Sequence, residues 1–165
     1  MLARDLLDSR RTEDLPPPAV DPLTESQALL EAQVLEILFD VKRATLGVLF
    51  ELRTSMMMTE SNTGVLVAQG VQTLTFRGEP RDTKLTAWSV LTSEAVGASG
   101  ASLELQFHPD AHIGLSASSL RYVNCDVASI GDIPPDYSDG FESPHRLLAD
   151  WESEIHPISS SSTGR

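Results

Sequence analysis

Apolar and polar residues alternate along most of the middle of the chain. Leu35, Ile37, Phe39 and Val41 are separated by Glu36 and Asp40; Leu46, Val48, Phe50 and Leu52 are separated by Gly47, Glu51 and Arg53. A period of two places one set of side chains on each face of a strand, so each run reads as a half-buried β-strand. Lys42-Arg43-Ala44 is a short connection, and the two runs make a hairpin. Val65-Leu66-Val67 follows, broken at Gly70, with Val71, Leu74 and Phe76 behind it. After the turn cluster Arg77-Gly78-Glu79-Pro80 comes a strand over 84–91 with Trp88 and Val90 on one face. Leu103, Leu105 and Phe107 alternate with Glu104, Gln106 and His108, then Ile113, Leu115 and Ala117 with His112, Gly114 and Ser116. Tyr122–Cys125 closes the sheet. Such tight connections cannot make parallel crossovers, so the sheet is antiparallel.

Two segments carry helical spacing. Thr24 with Gln27 three residues on resembles a capping box before Leu29, Leu30 and Ala32, with a switch to strand near Gln33. Ser143-Pro144 resembles an N-cap with proline at the first helical position, and Leu147, Leu148 and Trp151 follow at helical spacing. Residues 133–140 hold too much proline and aspartate for a strand. The Pro16-Pro17-Pro18 run makes residues 1–22 read as a flexible tail, and serines make 158–165 a second one. The expectation is one α+β domain over residues 23–157. It has six to eight antiparallel strands, as a meander or partly closed barrel, with a short helix near each end and an acidic loop and helix over 126–154. The expected core is Leu35, Ile37, Phe39, Val48, Phe50, Leu52, Trp88, Leu103, Leu105, Phe107, Ile113, Leu115 and Trp151.

Composition adds limits. With 165 residues and 41% hydrophobic side chains, the chain can build a core. It has no apolar run of membrane-spanning length, and acids stand near its start where a secretory signal needs apolar residues. A cytoplasmic protein is therefore expected. A single cysteine excludes a disulfide within the chain and a cysteine-based zinc site. The net charge of −12 disfavours nucleic acid and anionic membranes. It is unevenly spread: residues 126–154 hold eight acids against Arg146, which is −7 of the total.

Few residues suggest chemistry. His108-Pro109-Asp110-Ala111-His112 contains acceptable zinc ligands, but Pro-Asp between two strands is turn chemistry, so a solvated hairpin tip is expected. His145 and His156 have acids nearby in sequence, but no nucleophile elbow, phosphate loop or dinucleotide fingerprint accompanies them. Cys125 precedes Asp126, whose charge opposes a thiolate, so it reads as a buried structural residue. Met56-Met57-Met58 either covers a sheet edge or forms an adaptable interface. No cofactor, metal or catalytic residue is assigned.

Phe39-Asp40, the run Leu49–Arg53, Asn62-Thr63, Ala87-Trp88-Ser89, the Phe107–Ala111 turn, Pro134–Tyr137 and Trp151–Glu154 together resemble a family of small acidic bacterial α+β proteins. The architecture also loosely resembles immunity proteins of bacterial toxin systems. That resemblance implies a cytosolic, non-catalytic inhibitor that binds a protein. The residues themselves suggest where: Asp132, Asp136, Asp139, Glu142, Glu152 and Glu154 are interleaved with Tyr137, Phe141 and Trp151. An acidic rim around aromatic anchors suits a basic protein partner. The competing readings are a small hydrolase or isomerase using His and Asp, a nucleic-acid mimic, and acidity that only solubilises. Oligomeric state is left open.

Overall fold

Seven antiparallel strands form one continuous sheet in the computed structural model, which describes residues 1–8, 14–79, 87–96, 101–134 and 147–163. They are β1 (Gln33–Asp40), β2 (Thr45–Glu51), β3 (Thr63–Gly78), β4 (Trp88–Val96), β5 (Ala101–His108), β6 (Ala111–Asp126) and β7 (His156–Thr163). The order is β3-β2-β1-β4-β5-β6-β7, and β3 also pairs with β6 along the whole length of both. The first six strands therefore make a ring. It is not a closed barrel, because β1 and β4 share only Gln33↔Ser89 and Val34↔Trp88.

The ring has an approximate internal two-fold. The meander β1-β2-β3 and the meander β4-β5-β6 each end in a strand of 16 residues, and these long strands run antiparallel against each other. At the other contact, Gln33 of β1 faces Ser89, which holds the same place at the start of β4. Each first strand carries a bulge at the matching position, between Val34 and Glu36 and between Val90 and Thr92. A bulge reverses which face the following residues present.

That reversal corrects the expected core. Ile37 and Phe39 pair with Val48 and Leu46, so they share the inner face, but Leu35 lies within the shift and packs in a second cluster on the other face. Ile37 and Phe39 are 38% and 40% exposed. Trp88 is half-buried, stacked on Phe107 at 6.0 Å between centroids and tilted against Phe76 at 5.1 Å. The remaining expected core residues are buried. The inner cluster is built from Leu46, Val48, Phe50 and Leu52 of β2, with Leu103, Leu105 and Phe107 of β5 and Ile113, Leu115, Leu120 and Tyr122 of β6.

Helix is scarcer than the spacing predicts. Among the described residues it amounts to two 3-10 turns, Ala3–Leu7 and Ala128–Ile130. Residues 24–31 form turns, with Gln27 and Glu31 at positive φ (64° and 63°). Tertiary hydrogen bonds override the local preference there. Gln27 N–H donates to Ser93 O and Glu31 N–H to Val90 O, while Val90 N–H donates to Ala32 O. Residues 147–154 hold no helix either, but bends, a turn at Trp151-Glu152 and an isolated bridge from Glu154 to Leu2, and Ser143 and Pro144 lie outside the described residues.

The segments expected as tails are structural. Residues 156–163 are β7, paired to β6 from Leu120↔Thr163 to Asp126↔His156. Ser160 N–H donates to Pro16 O, which ties the proline run to the new edge. At the N-terminus, Ala3 and Leu6 are fully buried, and Ala3 and Arg4 donate backbone bonds to Ser153 and Trp151. Together the two terminal segments cover the outer face of β2, β3 and β6. The second cluster forms there, with Leu49, Val65, Val67, Val123, Cys125, Trp151 and Ile155. β2 is consequently buried on both faces, although its sequence alternates. Gly47 makes the fit possible: a Cβ there would stand 2.6 Å from both Leu7 and Trp151 side-chain carbons. We predict that Gly47→Ala destabilises the fold by about 1–3 kcal/mol by overpacking this layer. Urea unfolding followed by tryptophan fluorescence measures it, and a change below about 0.5 kcal/mol would show that the layer yields freely.

Candidate functional site

Glu51 ends β2 and Arg53 lies two residues on, so the strand period places both on the same side of the chain. Both side chains are buried, Glu51 at 0% and Arg53 at 4% exposure. The pair is bidentate: Arg53 Nε donates to Glu51 Oε1 at 2.7 Å and Nη2 to Oε2 at 2.5 Å. The guanidinium's remaining donors go to backbone carbonyls. Nη1 reaches Ile130 O and Ile133 O, both at 2.8 Å, and Gly131 O at 3.3 Å, while Nη2 reaches Leu147 O at 2.6 Å. One side chain thus fastens both described flanks of the acidic segment to the end of the sheet.

Asn62 makes the second fastening. Its Oδ1 accepts the Val127 N–H at 2.9 Å and its Nδ2 donates to Val127 O at 3.1 Å, while Asp126 Oδ1 accepts the Asn62 N–H. These bonds tie the β2–β3 connection to the turn after β6. Between them lies a cleft of about 530 Å³. Glu60, Asp126 and Asp132 line it, and among the described residues the one lining cation is Arg53. Glu60 is anchored by accepting Ala19 N–H at 2.9 Å, and from Asn124 Nδ2 and Ser159 Oγ at 3.2 Å each. Since Glu51 neutralises Arg53, the cleft presents uncompensated carboxylate charge.

Of the residues expected to bind a partner, Asp132 lines this cleft and is exposed. Glu152 and Glu154 are exposed on the neighbouring C-terminal segment, and Glu152 pairs with Arg4 at 2.6 Å. Asp136, Tyr137, Asp139, Phe141 and Glu142 lie outside the described residues, as does His145. Trp151 is buried against the sheet and is no surface anchor. Met58 is buried and lines the cleft, while Met56 and Met57 are exposed beside it.

The histidines near the β5–β6 turn sit on the outer face. His112 Nε2 is 2.6 Å from Glu104 Oε2, across the hairpin and over Gly114, where a Cβ would stand 3.0 Å from the carboxylate. Among the described residues no group of three His, Cys, Asp or Glu is placed to hold a metal ion. A second cleft, of about 490 Å³, adjoins this pair and is lined by Arg77, Asp110 and His112. His156 is exposed at the start of β7. Cys125 is fully buried in the outer cluster. Burial, with the Asp126 charge beside it, pushes its thiol up to about 12. Burial also holds the Tyr122 hydroxyl well above its ordinary range.

Sequence reasoning placed Glu51 and Arg53 on a polar strand face and missed the site's organising pair. The available signal was the Glu-x-Arg spacing, which sets a carboxylate beside a guanidinium. What it could not reveal is that other parts of the chain cover that face. No family model, no characterised protein and no solved structure matches the chain. Its own geometry therefore carries the functional argument. Among the described residues no helix is long and apolar enough to cross a membrane.

Arg53→Ala leaves Glu51 buried and unpaired, with a cost of about 3–5 kcal/mol. Arg53→Lys should recover only part of it, because an ammonium cannot reproduce the planar fork. Chemical denaturation of both variants checks this, and full recovery by lysine would contradict the geometry. For Cys125, a thiol reagent should modify the native protein only at the rate of unfolding. The raised folded-state pKa also means that stability is complete below about pH 9, and declines as pH climbs toward 12 because the unfolded thiol ionises first. Cys125→Ala should remove that part of the slope, as pH-dependent melting would record.

Proposed function

We propose that this chain is a non-catalytic cytoplasmic protein that binds a basic protein partner, as an immunity protein or inhibitor does. The observation supporting this reading is the cleft lined by Glu60, Asp126 and Asp132, whose single cation among the described residues is engaged by Glu51 and four backbone carbonyls. A lysine or arginine entering the cleft would find carboxylates already held in place by backbone and side-chain donors. Preorganised acceptors lower the cost of binding because little is left to order. Asp132 and Glu154 are exposed acids of the same sign, while Glu152 is paired with Arg4, and exposed acids of this kind would raise the association rate of a basic surface. The proposed surface also includes Asp136, Tyr137, Asp139, Phe141 and Glu142 on the strength of the sequence, since they follow Asp132 in the chain and lie outside the described residues. Its aromatic residues would supply the apolar anchors that such interfaces use.

The test is affinity capture from the source cells, run at about 50 mM and about 500 mM salt. A quadruple variant, Asp126→Asn, Asp132→Asn, Glu152→Gln and Glu154→Gln, is run in parallel, with a melting curve to confirm that it is folded. The expected outcome is a basic protein retained at low salt and lost both at high salt and from the variant. Retention of the same partner by the folded variant would rule out the acidic cleft, and capture of no basic protein would rule out the reading itself.

A further inference from the structure

The internal two-fold leaves one place unmatched. β6 is covered by β3 along one edge, and along the other by β5 over Ala111–Ala117 and by β7 over Leu120–Asp126. β3 is covered by β6 along one edge, and along the other by β2 over Thr63–Gln69. Beyond the left-handed Gly70 (φ 63°), Val71 N–H still donates to Ala44 O, and residues Gln72–Gly78 have no strand on that second edge among the described residues. This is the position that β7 fills in the other half of the ring. Leu74 and Phe76 are 37% and 51% exposed here, although their register with Leu115 and Ile113 puts them on the inner, apolar face. An uncovered strand edge with apolar side chains is a template for an added strand.

We infer that this edge is the interface of a homodimer, in which Gln72–Gly78 of one copy pairs antiparallel with the same residues of a second copy. This goes beyond the proposed acidic surface, because it uses other residues and another partner. The charge distribution favours a second copy at this edge. In a chain of net charge −12, the stretch Val71–Glu79 carries one base, Arg77, and one acid, Glu79. It is therefore a place where two strongly acidic molecules can approach without local repulsion. The residue pattern is also self-complementary. With Thr75 opposite the mate's Thr75, Leu74 faces the mate's Phe76 twice on the inner face, and Thr73 faces Arg77 on the outer face. Aromatic–aliphatic pairs directly opposite are the favourable unit of sheet pairing. Strand-edge contacts of this length are small beside standard interfaces, so the dimer is concentration-dependent, forming between about 10 µM and 1 mM.

Sedimentation equilibrium over that range tests it. The expected result is a rise from 17.9 kDa toward twice that mass. Thr75 is exposed, so Thr75→Lys and Thr75→Asp leave the fold intact by circular dichroism. Each variant alone places like charges opposite each other at the two-fold axis and should stay monomeric, while an equimolar mixture should regain the dimer mass. A wild-type protein that remains monomeric throughout would overturn the inference, as would a dimer that both Thr75→Lys and Thr75→Asp preserve.

Discussion

The buried ion pair of Glu51 and Arg53 is the constraint on which the described end of this molecule depends. A guanidinium removed from water needs every donor satisfied, and here a bidentate carboxylate and four carbonyls supply the acceptors. Those carbonyls belong to Ile130, Gly131, Ile133 and Leu147; of these only Ile130 is buried in the outer cluster, while the Ile133 and Leu147 side chains are exposed. The pair therefore does for the chain after β6 what hydrogen-bonded ladders do for the strands. It also decides the electrostatics of the cleft, because it neutralises the one cation among the described lining residues that could have balanced Glu60, Asp126 and Asp132.

The second organising feature is the relation between the ring and its terminal segments. A six-stranded ring with one apolar interior would leave the outer faces of β2, β3 and β6 in water. The residues there are Leu49, Val65, Val67, Val123 and Cys125, which water does not suit. The first eight residues and the segment 147–155 close over them, with Gly47 giving room for Leu7 and Trp151. Burial on both faces explains why β2 has no exposed residue. It also explains why Cys125 is held as a thiol. The low-dielectric layer that makes it inert is the one that the two termini complete.

Strand content and antiparallel pairing were legible because a period of two in the side chains is set by the backbone pleat alone. The positions of β2, β5 and the first half of β6 follow directly from it. The candidate site was legible only as an accumulation of acids near residue 132. Its geometry depends on Asn62 and Arg53, 64 and 77 residues from the groups they hold. No local pattern encodes a contact across that distance. The Met56–Met58 run shows the same limit: Met58 is buried in the inner core cluster while Met56 and Met57 are exposed, a division that depends on long-range packing.

By itself the sequence determined the strand periods, the hairpins, the inner-face residues of β2, β5 and β6, and the placement of most of the charge. Each of these follows from local geometry or from counting. Tertiary structure decided the rest. The bulge between Val34 and Glu36 in β1 set Ile37 and Phe39 on the face opposite to the one that Leu35 occupies. Long-range hydrogen bonds to Val90 and Ser93 held residues 27–32 in turns where a capping motif favoured a helix. Segments with the composition of tails became a strand and a cover, because an open strand edge and an apolar outer face were there to receive them. Backbone groups and apolar side chains take the partner that removes them from water, and which partner is within reach is a property of the folded chain.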